Sequence, residues 1–329
     1  MTGKLEMRDI WQAKKRIAPI VDKTPLIESP ILSEKIGRKV YLKLETVHDI
    51  GAFKIRGAAN KILSLTEEEK VRGVTTYSTG NHGMAVAFVA KQLGIKAVVC
   101  ISNRVPSAKV ASLKSYGARI EVVGESQDAA GVRCYELQET EGMTVIEPFD
   151  DPDVIAGQGT IGLELLEELP TVTDVVVPLS GGGLVSGIGL AVKSNNPSIQ
   201  VTGVSMEKSA VMYESLKAGK PVEMEETETL ADSLLGGIGL ANRYTFDMCS
   251  RYMDHTLLIP EQDIAFAMAY MVHHHRLIME GAASTGIAAV LGNKLQEQKG
   301  DVAIIISGHN VDFSVLLQVM EQYKAENGL

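Results

Sequence analysis

The sequence predicts an α/β protein of two lobes, each an open, mostly parallel twisted sheet with helices on both faces. Three observations carry that expectation. The runs 74-VTTYS-78, 97-AVVCIS-102, 119-RIEVVG-124, 174-DVVVPLS-180, 200-QVTGVS-205 and 302-VAIIIS-307 are apolar without alternation, the pattern of strands covered on both faces. Helical periodicity separates them, so each strand has the long crossover that a parallel neighbour requires. The chain's 329 residues are also long for one hydrophobic core and comfortable for two.

Taken in order, the N-terminal MTGKLEMRDIWQAKKRIAP alternates charge and apolarity at helical spacing and has no apolar signal core. In 51-GAFKIRGAAN-60, Arg56-Gly57-Ala58-Ala59 opens a second helix, and Lys54 stands between Phe53 and Ile55 where a buried side chain is expected. Residues 66–151 hold three strand-helix pairs, with helices over 81–94, 106–117 and 126–142, and are read as a small domain closing over the substrate. The Pro- and Gly-rich 147-EPFDDPDVIAGQG-159 then returns the chain to a large domain made of 1–65 and 152–329, with helices over 157–169 and 261–281. Two lobes imply a cleft between them, a common place for a ligand.

Composition narrows the function. A net charge of −9 opposes nucleic acid and anionic membrane as partners, since both select basic patches. Cys100, Cys134 and Cys249 lie far apart, without zinc spacing, and read as reduced thiols. No stretch approaches the roughly 18 uncharged apolar residues of a bilayer span. A cytoplasmic protein with a small-molecule substrate is expected.

Three strand-to-helix junctions carry chemistry, because free backbone N–H groups at such ends favour anions. In 175-VVVPLSGGGLVSGIG-189 a strand runs into Ser180-Gly181-Gly182-Gly183, whose glycines let the backbone approach an anion closely, with a helix dipole behind. The spacing is neither GxGxxG nor GKS/T, so a single phosphate monoester fits better than a dinucleotide or a nucleoside triphosphate. In 77-YSTGNHGMAVA-87, Ser78, Thr79, Asn81 and the N–H groups of Gly80 to His82 suit a carboxylate, although an Asn or Ser helix cap has the same look. In 302-VAIIISGHNVD-312, Ser307 ends a buried strand, where a lone serine also serves as a helix cap. A lysine in an apolar setting, a cradle for one phosphate, a carboxylate-sized loop and a hydroxyl at a strand end together are the parts that hold pyridoxal 5'-phosphate on a lysine.

The pattern resembles the fold-type II pyridoxal-phosphate enzymes, in the branch of serine/threonine dehydratases and serine racemases. GAFKIRGA resembles their lysine motif, and TPLIES, STGNHG, SGGGL, ADSLLGGIG, MEGAASTGIAAVL and SGHNVD follow in the family's order over nearly the whole chain. The resemblance implies a tryptophan synthase β-like fold, a homodimer, and a role for each matching position. Lys54 would carry the cofactor and, once released, act as base at Cα. Phe53 would pack against the cofactor ring and Asn81 would bond its hydroxyl. Ser78, Thr79, Gly80, Asn81 and His82 would take the substrate carboxylate, and Ser180, Gly181, Gly182, Gly183 and Leu184 would cradle the phosphate. Ser307 would face the pyridine nitrogen, where a neutral hydroxyl, unlike a carboxylate, leaves it largely unprotonated. The weaker electron sink suits elimination of a β-leaving group over transamination.

Departures shape the expectation. Ala52 stands where the family usually has serine. Thr79 stands where the racemases have a serine base, which argues for elimination. Val204-Ser205-Met206 replaces a Val-Glu-Pro whose glutamate binds a divalent cation, with Glu207 two residues on, and no metal is expected. His309 occupies a second-glycine position. Glu280 and Asp232 match family positions, yet each residue type also fits a structural cap. His273-His274-His275 points about 100° apart per residue on a helix, so the three do not converge on one ion and read as a solvated face. The chain ends soon after SGHNVD, so no regulatory domain and no feedback inhibition by isoleucine are expected.

The leading expectation is a carbon-oxygen lyase, a threonine/serine ammonia-lyase that turns a 3-hydroxy amino acid into a 2-oxo acid and ammonia. The alternatives are an amino-acid racemase, told apart by the D-isomer, and a dehydratase of 3-hydroxyaspartate. STGNHG and the SQD of 126–128 also resemble the dehydratase of hydroxyectoine breakdown, which adds a hydroxyectoine-derived amino acid. A cysteine-forming synthase reads differently around the lysine and the asparagine loop, and the intact Lys54 and SGGGL oppose a non-catalytic scaffold.

Overall fold

The structure, a computed structural model, describes residues 5–105, 107–125, 127–295 and 299–328. Pro106 and Ser126, the first residues of two expected helices, lie outside them, and so does the start of the SQD segment. Among the described residues, ten strands form two sheets with the strand orders β1-β2-β10-β7-β8-β9 and β5-β4-β3-β6. The first comprises β1 (Leu26–Glu28), β2 (Val40–Leu44), β7 (Val172–Pro178), β8 (Gln200–Met206), β9 (His255–Ile259) and β10 (Asp301–Ile306). The second comprises β3 (Val74–Thr76), β4 (Ala97–Ile101), β5 (Arg119–Val122) and β6 (Thr144–Val145). All pairings are parallel except β1 with β2.

The unbroken apolar runs have a direct cause. In β10, Val302, Ile304 and Ile306 enter one core while Ala303 and Ile305 enter the core on the opposite face. β7 divides likewise, Val176 to one side and Val175 and Val177 to the other. Helices Glu261–His275 and Gly281–Leu291 cover the first face, and Pro152–Glu168 and Gly183–Asn195 cover the second. With both faces apolar the period of two vanishes from the sequence.

Two expected elements are corrected. The helix expected over 261–281 ends at His275, where Arg276 adopts a left-handed φ of 59°, and a new helix starts at Gly281. The apolar pattern continues across the break, but a Cβ at residue 281 would lie 2.1 Å from the Leu230 carbonyl oxygen, so the chain re-enters at a position only glycine fits. The 147–159 stretch is only partly a connection. Asp151 caps a helix that begins at Pro152, its carboxylate accepting the N–H groups of Asp153 and Val154 at 2.8 and 3.1 Å. Strands β1, β2, β6 and β9 are additional to those the sequence predicts, and in β2 the reason is Lys43, a fully buried cation inside the run.

Lys43 belongs to a buried ionic network that fixes helix Lys54–Ser64. Arg56 is forked between Glu45, at 2.7 and 3.0 Å, and Glu164, at 2.6 and 2.9 Å. Lys43 Nζ reaches Glu164 at 2.8 Å, and His48 reaches Glu45 at 3.0 Å. The network pins the helix to β2 and to helix Pro152–Glu168.

Candidate active site

A cavity of about 1040 Å³ is lined by the ends of both sheets. Phe53, Lys54, Ser78, Thr79, Gly80, Asn81, His82, Ser307 and the whole of Ser180–Leu184 line it, so every residue expected to hold cofactor or substrate meets there.

Lys54 is the first residue of its helix, delivered by a bridge between Ala52 and Gly308. The Phe53 N–H donates to the Ser307 carbonyl at 2.9 Å, tying the lysine to the end of β10. Its Nζ donates to the Pro148 carbonyl at 2.7 Å and lies 5.3 Å from the Phe53 ring centre. Burial pulls the amine down to about 8, against the opposing pull of the Glu280 carboxylate.

The glycine cradle follows β7. Gly182 has φ 86°, and a Cβ there would meet Cys249 Sγ at 2.7 Å, while one at Gly181 would sit 2.4 Å from the Phe149 ring. Bare backbone is required at both. Helix Gly183–Asn195 begins immediately after, turning its unpaired first-turn N–H groups and positive dipole end toward the cavity. Such a cradle fits a phosphate monoester, and Lys54 in the same cavity fits an aldehyde partner, so the residues present suit pyridoxal phosphate.

Opposite lies the 78–82 loop, with helix Asn81–Gln92 behind it. Asn81 Nδ2 donates to both Glu280 oxygens at 3.1 and 3.0 Å, and its Oδ1 accepts from Asn310 at 2.7 Å. Burial raises the Glu280 carboxyl to about 7; the Asn81 bond opposes this, and nearby Asp232 adds to it. His82 donates from Nε2 to the Ile146 carbonyl at 2.9 Å, leaving Nδ1 buried with no partner among the described residues. Burial, then the Lys54 charge, holds the ring down at about 3, so it is neutral and Nδ1 is a bare acceptor.

Several lining residues were not anticipated. Tyr77 and Tyr135 donate their hydroxyls to Glu147 at 3.1 and 2.5 Å. Asp150 accepts the N–H groups of Arg243, Tyr244 and Thr245 at 2.7, 2.9 and 2.9 Å, fixing the far rim. Gln158 is buried, and its Oε1 has no partner among the described residues. Glu280 and Asp232 line the cavity as well, so the cap reading of each is incomplete. Other departures fall outside it. His309 packs its ring against Gly51, where a Cβ would lie 2.2 Å from Nε2, so that turn requires glycine; the imidazole itself has no structural explanation. Ser205 is buried, Glu207 is exposed, and the described residues hold no group of three or more potential metal ligands. The histidine tract is not simply solvated: Ser29 bonds the His275 ring at 2.7 Å, and Tyr323 contacts His274 at 3.4 Å.

Comparison with known proteins agrees with this geometry. Residues 17–308 match the family described as pyridoxal-phosphate dependent enzyme. An L-threonine ammonia-lyase of Thermotoga maritima is 39% identical over 324 residues, 98% of this chain and 80% of the relative. A catabolic L-threonine dehydratase of Staphylococcus aureus is 38% identical over 96% of this chain and 92% of its own. Among solved structures, maize serine racemase superposes with a TM-score of 0.90 at 34% identity, covering 98% of this chain and 99% of that one.

Proposed function

The chain belongs to the pyridoxal-phosphate-dependent enzymes, and we propose that it is an ammonia-lyase removing water from a 3-hydroxy amino acid such as L-threonine or L-serine, with a 2-oxo acid and ammonia as products. The observation that carries this reading is Lys54: a half-buried amine drawn down to about 8, in one cavity with a phosphate-sized glycine cradle and a hydroxyl rather than a carboxylate at Ser307. When bound, the cofactor supplies an electron sink conjugated to the substrate nitrogen.

The chain's own residues then have these tasks. Lys54 holds the cofactor and, once released, removes the Cα proton. At neutral pH about one amine in ten is unprotonated when its pKa is near 8, against fewer than about one in a thousand at its ordinary value. The N–H groups of Ser180–Leu184 hold the phosphate, and Phe53 packs against the ring. Ser78, Thr79, Gly80, Asn81 and His82 take the substrate carboxylate and so orient the Cα–H bond toward Lys54. Asn81, whose amide now donates to Glu280, would bond the cofactor's ring hydroxyl. The Ser307 hydroxyl imposes no charge on the pyridine nitrogen, which favours departure of the β-hydroxyl over a long-lived carbanion. Residues 66–151 form the domain that closes over the substrate, against 1–65 and 152–329.

We place the protein in the cytoplasm as a homodimer. Supporting this, its three cysteines are buried thiols, and none of its described helices is long and apolar enough to cross a membrane. Exposed Trp11, Ile31 and Phe313 offer apolar surface to a second copy.

The test is oxo-acid release from a panel of 3-hydroxy amino acids. L-Threonine or L-serine should yield product while the residual substrate stays L. A racemase reading is supported by the likeness to serine racemases, that of maize among them. Accumulation of D-isomer in deuterated water would establish it in place of the lyase.

A further inference from the structure

Asn81 is held at both ends of its side-chain amide. Nδ2 donates to the two Glu280 oxygens at 3.1 and 3.0 Å, and Oδ1 accepts from Asn310 Nδ2 at 2.7 Å. The two ends of an amide are nearly alike in shape, so its hydrogen-bond partners decide which end a ligand meets. Glu280 does not decide it alone. Burial lifts its carboxyl to about 7, so near neutral pH it accepts in one form and donates in the other.

Asn310 does decide it, because its own amide is fixed from elsewhere. The same Nδ2 donates to the Ile50 carbonyl at 2.8 Å, and a backbone carbonyl only accepts. The atom of Asn310 that meets Asn81 is therefore a nitrogen, and the atom it meets is the oxygen. The turn that carries Asn310 is tied down on both sides. Ala52 bridges Gly308, and the His309 N–H donates to the Gly51 carbonyl at 2.9 Å. On the other side the Glu280 N–H donates to the Gly308 carbonyl at 3.1 Å, and the Asn310 backbone N–H bonds the Glu280 carboxyl. Asn81 and Glu280 line the cavity, whereas Asn310 is exposed and is not among the lining residues. It touches the site only through them.

We propose that Asn310 is a positioning residue that fixes the Asn81 amide so that an N–H, rather than its carbonyl oxygen, is presented to the ring oxygen of the cofactor. This rests on the Asn81 contact in the reading above, and adds which atom makes it and what sets that atom. A donor favours the ionised ring oxygen, whereas an acceptor favours the protonated hydroxyl. The orientation of one amide thus sets the protonation of the cofactor at that atom.

The experiment titrates the cofactor-free protein with pyridoxal phosphate and with its 3-deoxy analogue, which lacks the ring hydroxyl. Wild type should prefer pyridoxal phosphate by about 10- to 100-fold, the range of a hydrogen bond to a charged group. Asn310→Asp sets an acceptor against Asn81 and turns its amide over. The preference should then fall about tenfold, and the bound cofactor's absorption should move from the visible toward the near ultraviolet as its ring oxygen takes a proton. Asn310→Ala, where water replaces the lost donor, should fall less. In an Asn81→Ala background Asn310→Asp should change the preference by less than about twofold, because its effect passes through Asn81. Ratios cancel any general loss of folding or of cofactor binding. A wild-type preference and spectrum in Asn310→Asp, or an equal fall with and without Asn81, overturns the proposal. If Asn81→Ala alone keeps the full preference, the Asn81 contact fails and the inference falls with it. If Asn81→Ala loses the preference and Asn310→Asp keeps it, the contact stands and the inference alone is wrong.

Discussion

Lys54 and Arg56 stand two residues apart on one helix, both cationic, the first half-buried and the second wholly buried, and their surroundings treat them in opposite ways. Arg56 is enclosed by two carboxylates in paired hydrogen bonds. Burial alone would lower its pKa, but Glu45 and Glu164 more than reverse that and hold it above its ordinary value. Lys54 receives one carbonyl, and burial wins. The first charge is fully answered and serves the structure. The second is left under-answered, which costs stability and makes the amine reactive. Function sits where the chain declines to satisfy a buried group.

The largest effect that tests this contrast is on turnover. Lys54→Ala should lower oxo-acid release by about 10⁴-fold or more, because both the cofactor's anchor and the Cα base are lost. Peptide mapping after borohydride reduction of the wild type should find the cofactor on Lys54, and a label on any other lysine breaks the assignment. Arg56 should show the opposite profile. Arg56→Met leaves Glu45 and Glu164 buried together, with His48 and Lys43 to answer them, and should cost roughly 3–5 kcal/mol in urea unfolding. The sign with pH follows from the carboxylates. Although burial alone would raise them, Arg56 holds both below their usual value. The stabilisation is therefore present above about pH 4.5 and is lost as pH falls toward the folded pKa values. Wild type and Arg56→Met should converge in acid. If they ran parallel, the network would not be the source of the difference.

The difference between the two cations was only half legible in the sequence. Lys54 announces itself because Phe53 and Ile55 flank it and the glycine run supplies a phosphate cradle, both local signals. Arg56 reads as a helix opening, since its partners Glu45 and Glu164 lie 11 and 108 residues away. The same distance hid Glu147, whose phenols come from 70 residues before and 12 residues before it in the chain. Strands buried on both faces were plain from their unbroken apolar runs. β2 was not, because Lys43 interrupts it and only the folded network explains a lysine there. The break at 276–280 escaped notice because its cause is the Leu230 carbonyl pressed against Gly281. Residue type and spacing thus disclose groups that await a ligand, and tertiary pairing conceals those already matched within the chain.

The smallest effect sharpens the comparison most, because it measures what the under-answered charge costs. In the cofactor-free protein Lys54 has a pKa near 8, against 10.5 for the ordinary side chain. Between these values the unfolded chain binds more protons than the folded one, so stability rises with pH across that window. A lowered pKa of this size corresponds to about 3 kcal/mol at most, and relaxation and water entry bring the expected figure to ~1–2 kcal/mol. Lys54→Met keeps the volume and removes the charge. It should therefore be more stable than wild type at pH 7 by that amount, with the gap closing as pH passes from 8 to 10.5. Arg56→Met should show no such closing, since arginine does not titrate there. Chemical denaturation of both apoproteins at pH 7 and pH 10 decides the matter. If Lys54→Met were less stable than wild type at pH 7, Lys54 would be a satisfied structural cation like Arg56, and the contrast would fail.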